Sequence, residues 1–95
     1  MEKEHMIVQA VYEAKNSNEK ADELIRQYIP FIRAEAAKFL GAPCTDSDDA
    51  FSISMIAFHE AIITYNRERG AFLSYAALLI RNRLIDEQRK EKRHQ

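Results

Sequence analysis

Few residues of this 95-residue chain have the types and spacing that catalysis or metal binding requires. His59-Glu60 could begin a zinc-protease helix, but position 63 is an isoleucine, where the second histidine of such a motif would stand. We therefore interpret His59 as a partly exposed helix residue. Three acidic residues lack the glycine turn and the closing glutamate of a calcium loop and are interpreted as helix-capping residues: Asp46, Asp48 and Asp49.

The remaining composition argues against an enzyme. The two glycines are too few to form a P-loop or a dinucleotide fingerprint, and the single Cys44 offers neither a disulfide nor a zinc cluster. We expect no catalytic residues, no metal, no cofactor and no small-molecule substrate. The charged start of the chain is unlike a signal peptide, and no apolar run approaches the ~20 residues of a membrane span. These features predict a cytoplasmic protein.

One predicted helix face, near the C-terminus, has residues suited to nucleic acid. An aromatic, an aliphatic, an amide and a guanidinium can together stack on bases, read base edges and bind phosphate. Helical spacing aligns these residues: Tyr75, Leu79, Asn82, Asp86 and Arg89, with Leu78 flanking them. An ordinary amphipathic rim is the alternative interpretation of the same spacing.

Charge is distributed unevenly along the chain, although the formal net charge is only −1. Residues 1–50 carry six Lys and Arg against ten Asp and Glu, whereas residues 51–95 carry eight against five. Six of the basic residues fall within the last fifteen positions, from Arg81 onward. This segment is either a phosphate-binding stripe or a solvated helix end whose charges complement the helix dipole.

The elements that position these residues are predicted to be helices, because no window alternates apolar and polar residues as a half-buried strand does. We expect an all-α, compact bundle of four to five helices in one domain. A first helix spans about residues 3–15, with Ile7, Val11 and Ala14 on its apolar stripe. A second, capped by Ser17 or Asn18, runs to about residue 40, is bent at Pro30 and ends at Gly41.

Two further helices are predicted in the second half. The third, about residues 48–65, has a core stripe composed of Phe51, Met55, Phe58, Ile62 and Tyr65. Three isoleucines lie off that stripe and form either a docking face or a surface covered by another helix: Ile53, Ile56 and Ile63. After a turn at residues 66–70, the last helix runs from about residue 72 to 89 or beyond. Its predicted core stripe comprises Leu73, Ala77, Ile80 and Leu84.

The second half of the chain resembles region 2 of the sigma-70 family of bacterial transcription initiation factors. The resemblance lies in the run from Asp48 to Ala61, the turn Tyr65-Asn-Arg-Glu-Arg-Gly70, and the following Phe72-Leu-Ser-Tyr-Ala76 and Ile80-Arg-Asn82. Residues 24–32, Leu-Ile-Arg-Gln-Tyr-Ile-Pro-Phe-Ile, are similar to the sigma-I subgroup of Gram-positive bacteria. The resemblance implies a single region 2 domain over residues 1–95, with N-terminal helices in residues 1–40.

The resemblance also implies two binding surfaces. Residues 45–65 would contain the helix that docks on the clamp helices of the largest subunit of core RNA polymerase, with these contacts: Asp48, Asp49, Ser52, Ile53, Met55, Ile56, His59 and Glu60. Residues 71–92 would recognise the promoter minus-ten element, including its non-template single strand, with these contacts: Phe72, Tyr75, Leu78, Leu79, Arg81, Asn82, Asp86 and Arg89. A cognate anti-sigma factor with a membrane-anchored sensor is a further implied partner.

The chain departs from the family pattern in two ways that bear on function. Primary sigma factors have two tryptophans where this chain has Leu78 and Leu79, so fewer aromatic platforms are available for DNA opening. No helix-turn-helix domain that would read the minus-thirty-five element follows Gln95, which suggests a fragment or a minimal form. The main alternative is a helical module that binds only another protein and whose basic tail is merely solubilising.

Overall fold

The computed structural model describes the backbone of residues 2–93 and the side chains of residues 5–91. Within this part of the chain all regular elements are helical, as predicted. The five α-helices and one short 3-10 helix have these bounds: α1 Glu2–Ala14, α2 Asn18–Gln27, α3 Ile29–Leu40, α4 Asp49–Thr64, a 3-10 turn Arg67–Arg69 and α5 Phe72–Arg93. The all-α bundle prediction is therefore confirmed.

The segment predicted as one bent helix forms two helices instead. Ser17 caps α2, its hydroxyl accepting a hydrogen bond from the Lys20 amide at 3.2 Å. Helix α2 ends at Gln27, and Tyr28 joins it to α3 with a backbone outside the helical region (φ −105°, ψ 14°). Pro30 therefore lies in the first turn of α3, where its missing N–H has no partner within the helix to lose. The expected bend at Pro30 was wrong because the helix has already ended.

The loop between α3 and α4 begins as predicted but is closed differently. Gly41 adopts a left-handed conformation (φ 69°), and its N–H donates to the Ala37 carbonyl at 2.9 Å, which ends α3. Asp48 occupies the position before α4, yet its carboxylate does not accept from α4 amides. It accepts instead from the Thr45 amide at 2.7 Å and from the Thr45 hydroxyl at 3.1 Å. The Asp48 side chain thus fixes the loop rather than capping the helix.

An arginine of α3 fastens the same loop to the bundle. The Arg33 guanidinium pairs with the Asp46 carboxylate at 2.6 Å and donates to the Cys44 carbonyl at 3.3 Å. It also lies 4.8 Å from the centre of the Phe51 ring at the start of α4. These contacts set where α4 begins relative to α3.

Helix α4 lies at the centre of the bundle and contributes more buried residues to the core than any other helix. The Phe58 side chain is fully buried and packs against rings from three other parts of the chain, at 5.5 Å from Phe72, 6.0 Å from Tyr28 and 6.2 Å from Phe31. Edge-to-face and offset contacts of this kind stabilise a core beyond simple area burial. The predicted α4 stripe is buried except for Met55, which is half-buried.

The buried stripe of α5 differs in phase from the predicted one. The side chains that enter the core are Phe72, Ala76, Ile80 and Leu84. Leu73 and Ala77, predicted as core residues, are only half-buried beside that stripe. Among the described side chains Leu84 is the last buried one, so the turns of α5 that follow it up to residue 91 project beyond the core. Within residues 2–93, no helix has the length and apolar character needed to cross a membrane.

Candidate functional site

One side of α4 remains uncovered by the rest of the bundle. Ile56 and Ile63 are 57% and 49% exposed, and Asp49 and Ser52 are exposed on the same side of the helix. These four residues are called the α4 face below. Ile56 and Ile63 lie two helical turns apart on this side, and two exposed isoleucines on one face of a central helix are compatible with a protein-binding surface. The alternative that another helix covers Ile56 and Ile63 is wrong for the described bundle, whereas half-buried Ile53 does pack against the core.

The other predicted docking residues lie around this face with different degrees of access. Met55 is half-buried against the core, and His59 and Glu60 are half-buried at the edges of the face. The Asp48 carboxylate is already engaged by Thr45. The structure therefore brings most of the predicted set together along one helix and leaves Asp49, Ser52 and Ile56 as its most accessible members.

An ion pair joins the edge of the α4 face to α5. The Glu60 carboxylate pairs with the Arg83 guanidinium, and both side chains are partly exposed, at 38% and 46% respectively. An ion pair with this much solvent contact contributes about 0–1 kcal/mol. The pair nevertheless engages Glu60, which was predicted to contact polymerase, and Arg83, which belongs to the possible phosphate-binding stripe.

The predicted nucleic-acid residues of α5 are mostly accessible, with one correction. Leu78 is 54% exposed, and Arg81, Asn82, Asp86 and Arg89 are exposed along the same helix. Tyr75 and Leu79 are half-buried against the core.

Phe72, predicted as an aromatic platform for a base, is instead fully buried. Its ring lies 5.5 Å from that of Phe58 and 5.2 Å from that of Tyr65. Core packing at the start of α5 therefore accounts for this aromatic residue.

Tyr75 is held in a defined orientation at the junction of α4 and α5. Its hydroxyl lies 2.7 Å from the Thr64 hydroxyl, which itself donates to the Glu60 carbonyl at 2.8 Å. Because the single Thr64 proton is used in that bond, the Tyr75 hydroxyl is the donor to Thr64. The Arg69 guanidinium lies 5.4 Å from the centre of the Tyr75 ring. The geometry thus combines a fixed aromatic ring with a nearby cation.

Helix α1 supports this junction, which the sequence did not predict. The Tyr12 hydroxyl accepts from the Arg67 amide at 3.2 Å, and the Tyr12 ring packs edge-on against Tyr65 at 6.3 Å. Lys15 donates from its ammonium to the Ile63 carbonyl at 2.8 Å, at the end of α4. Three tyrosines therefore meet at the α4–α5 turn: Tyr12, Tyr65 and Tyr75, called the tyrosine cluster below. Tyr12 and Arg67 are far apart in sequence, so no local pattern could reveal their contact.

The basic residues of α5 differ in how they are paired. Arg83 is paired with Glu60, and Lys90 lies 3.6 Å from Glu87 on its own helix. Among the side chains that the structure describes, Arg81 and Arg89 form no ion pair. The side chains of the remaining basic residues of the predicted stripe, at positions 92 and 93, lie outside the described ones.

Comparison with known proteins identifies the family of the chain. Residues 24–94 match the family described as Sigma-70 region 2. The chain is 39% identical over 89 residues to the RNA polymerase sigma factor SigI7 of Acetivibrio thermocellus, an alignment that covers 93% of this chain and 38% of that protein. It is 41% identical to the RNA polymerase sigma factors SigI of Bacillus anthracis and Bacillus subtilis, over 84% and 83% of this chain and 34% and 32% of theirs.

The chain spans about one third of the length of these curated relatives. The family match includes α3, α4 and α5 in full, and the SigI alignments extend the similarity to most of the chain. The resemblance inferred from residues 24–32 and 48–82 is thereby confirmed. The chain belongs to the sigma-70 family, of which it carries region 2, within the sigma-I subgroup.

Proposed function

We propose that this domain directs transcription initiation in the cytoplasm by docking on core RNA polymerase through the α4 face and by recognising the promoter minus-ten element with α5. The observation that carries the proposal is the exposure of Ile56 and Ile63, at 57% and 49%, on the helix that otherwise forms the centre of the core. Burying these side chains against a partner favours binding by about 25 cal/mol for each Å² of apolar surface that is removed from water.

The clamp helices of the largest polymerase subunit are the proposed partner of the α4 face. Asp49 and Ser52 add polar groups at one end of the exposed isoleucine pair, which suits an interface with an apolar centre and a polar rim. His59 and Glu60 lie at its edges. Met55 and Ile53 are half-buried in the free domain, so they would position the exposed residues of the α4 face more than contact the partner directly.

Recognition of the minus-ten element is assigned to the exposed side of α5 and its junction with α4. Opening a base pair costs a few kcal/mol, and an aromatic stack returns about 1–3 kcal/mol per base. Because Phe72 is buried and Leu78 and Leu79 have no π face, Tyr75 is the aromatic ring available on this side of α5. We propose that Tyr75 stacks on an unpaired base while Asn82 reads a base edge.

With one aromatic platform on α5 instead of several, this domain would depend strongly on a well-matched promoter. Arg81 and Arg89 carry no competing ion pair among the described side chains and would contact phosphates. Each phosphate contact contributes a salt-dependent term of about 0.7–0.9 to the slope of log affinity against log salt. A flat salt response would favour the solvated-tail interpretation instead.

Control by an anti-sigma factor with a membrane-anchored sensor is the last part of the proposal. It rests on membership of the sigma-I subgroup and not on any contact within the domain. The α4 face offers a surface that an inhibitor and core polymerase would compete for. Mutually exclusive binding of the two partners is therefore the expected behaviour.

The deciding experiment measures the affinity of the domain for purified core RNA polymerase by titration. Ile56→Glu places a charge at the centre of the α4 face and is expected to weaken docking at least tenfold, because burying an unpaired charge is strongly unfavourable. Leu40→Glu is the matched control, since Leu40 is also an exposed apolar helix residue, 42% accessible, but lies on α3. Equal affinities of the two variants would contradict the docking assignment.

A second measurement separates DNA recognition from docking. Tyr75→Ala is expected to weaken promoter opening while polymerase affinity stays near that of the wild type. Folding of the variant is checked by circular dichroism, because Tyr75 also contacts Tyr65. Loss of both activities to the same extent in a folded variant would contradict the division of labour between α4 and α5. Polymerase binding without any promoter recognition would favour the interaction-only module.

A further inference from the structure

A groove between α3 and α5 adjoins the exposed side of α5, and its α3 wall was not part of any predicted site. Its volume is about 610 Å³, within the range of small-ligand sites. Lys38 and Phe39 line it from α3, and Leu78 and Arg81 line it from α5. Leu78 and Arg81 are also proposed nucleic-acid residues, so the groove is continuous with that surface. It is called the α3–α5 groove below.

The walls of the α3–α5 groove are suited to the flat face of an unpaired base. Leu78 is 54% exposed and presents an aliphatic side chain from α5. Phe39 is half-buried, packs against the core and lines the groove from α3. A base between an aromatic ring and a leucine would bury apolar surface on both of its faces. Paired bases in a duplex have no free faces to offer, so the groove favours single-stranded nucleic acid.

The rim of the groove carries cations that suit a phosphate. The Lys38 side chain is 74% exposed, and its pairing with Glu35 at 3.3 Å uses one of the three N–H donors of its ammonium, which leaves two for a phosphate. Arg81 is exposed with no ion pair among the described side chains. Lys38 and Arg81 belong to different helices, so together they place positive charge on both sides of the groove. Two apolar side chains flanked by two cations match the chemistry of a nucleotide, which has a stacking base and an anionic phosphate.

A carboxylate in the same groove adds selectivity among bases. The Glu35 side chain is only 18% exposed, and its carboxylate lies 3.3 Å from the Lys38 ammonium. An ionised carboxylate only accepts hydrogen bonds, so it favours the exocyclic amines of adenine, cytosine and guanine. Thymine presents one N–H between two carbonyl oxygens, and the carboxylate repels those oxygens. The groove should therefore discriminate against thymine.

We propose that the α3–α5 groove binds one unpaired nucleotide of the DNA strand that α5 contacts, with the base between Phe39 and Leu78 and the phosphate between Lys38 and Arg81. This inference rests on the proposed function, because it extends the α5 surface onto α3. It makes α3 a part of the nucleic-acid interface. It also makes Glu35 a residue that determines specificity.

The first test compares charge-reversed variants of two exposed lysines. The domain bound to core polymerase is titrated with a short fluorescent single-stranded promoter oligonucleotide at several salt concentrations. Lys38→Glu is expected to weaken binding on the order of fivefold and to reduce the salt slope by about 0.7, the loss of one phosphate contact. Lys20→Glu on α2 makes the same change in net charge at a side chain that is 57% exposed. It is expected to leave the slope unchanged.

The second test addresses base selectivity with oligonucleotides that carry cytosine or thymine, two pyrimidines of similar size, at single positions. Wild type is expected to prefer cytosine at one position, and Glu35→Gln is expected to lose that preference. Lys38→Gln breaks the same Glu35–Lys38 pair but keeps the carboxylate, so it should retain the preference.

The outcomes separate this inference from the proposed function. If Tyr75→Ala abolishes binding but Lys38→Glu behaves like Lys20→Glu, the α3–α5 groove assignment is overturned and the α5 assignment stands. Equal affinity for cytosine and thymine at every position overturns the role of Glu35. Failure of the wild-type complex to bind the single strand at all overturns the proposed function and the groove together.

Discussion

Ser54 carries a hydroxyl in the core of the bundle that has no hydrogen-bond partner in the described structure. The residue is fully buried in the middle of α4, and its Oγ contacts neither a donor nor an acceptor within reach. The residues one helical turn away on its buried side are apolar, among them Ala50, Ala57 and Phe58. Replacing Ser54 with alanine removes the oxygen and retains the Cβ. We expect Ser54→Ala to raise the free energy of unfolding.

The expected magnitude follows from two contributions. A buried hydroxyl without a partner costs about 1–3 kcal/mol, and alanine has a higher helix propensity than serine by about 0.5 kcal/mol. Loss of the van der Waals contacts of one oxygen opposes part of this gain. A net stabilisation of about 1–2 kcal/mol remains. For a domain of this size, each kcal/mol corresponds to a rise of about 4–8 °C in Tm.

The assay is urea denaturation followed by far-UV circular dichroism, with linear extrapolation to water. Ser52→Ala is the matched control, because Ser52 lies on the same helix but is exposed, so it reports the propensity gain alone. If Ser54→Ala is no more stable than Ser52→Ala, the reasoning is refuted. That result would mean that the Ser54 hydroxyl has a partner, such as the carbonyl four residues earlier in α4.

Three further outcomes are expected. Arg33→Met should lower the free energy of unfolding in urea titrations by about 1 kcal/mol, because the ion pair with Asp46 and the contact with the Phe51 ring are lost. Arg26→Met is the control, since Arg26 is exposed on α2, and it should have no measurable effect. Tyr75→Phe keeps the ring but loses the bond to Thr64, so promoter opening should stay within about threefold of wild type if stacking is its role; a loss as large as that of Tyr75→Ala would contradict stacking. Burial, with smaller contributions from nearby carboxylates, raises the pKa of the Cys44 thiol. Iodoacetamide should therefore modify Cys44 of the folded domain at neutral pH more slowly than it modifies a free thiol, whereas in urea the two rates should be equal. The same rate for Cys44 with and without urea would contradict its burial.

The sequence was sufficient for the helical class and for the boundaries that local chemistry sets. Ser17 begins α2 and Gly41 ends α3, each through a contact with a residue three or four positions away, which a sequence pattern can reveal. The break at Tyr28 was missed because the apolar spacing continues across it, and Pro30 is compatible with either a bend or a first helical turn.

Long-range packing decided the features that the sequence left open. The sequence predicted that the face of α5 containing Leu73 enters the core. The ring of Phe72 instead packs against Phe58 and Tyr65, so the buried face of α5 is rotated by about one residue from the predicted one. The same packing removes Phe72 from the candidate DNA-binding residues. Support of the α4–α5 turn by α1, through Tyr12, depends on tertiary contacts that no helical spacing encodes.

The tyrosine cluster gives the domain an intrinsic optical probe at the junction of α4 and α5. The chain has four tyrosines and no tryptophan, so its ultraviolet fluorescence arises from tyrosine alone. Three of those four rings lie in the cluster, with neighbouring centroids 5.8–6.3 Å apart. A base that stacks on Tyr75 would quench its emission and disturb energy transfer to Tyr65. If Tyr75 stacks on a base as proposed, the emission of the unlabelled domain would report nucleic-acid binding at this junction in real time, and a tryptophan installed elsewhere would obscure that signal.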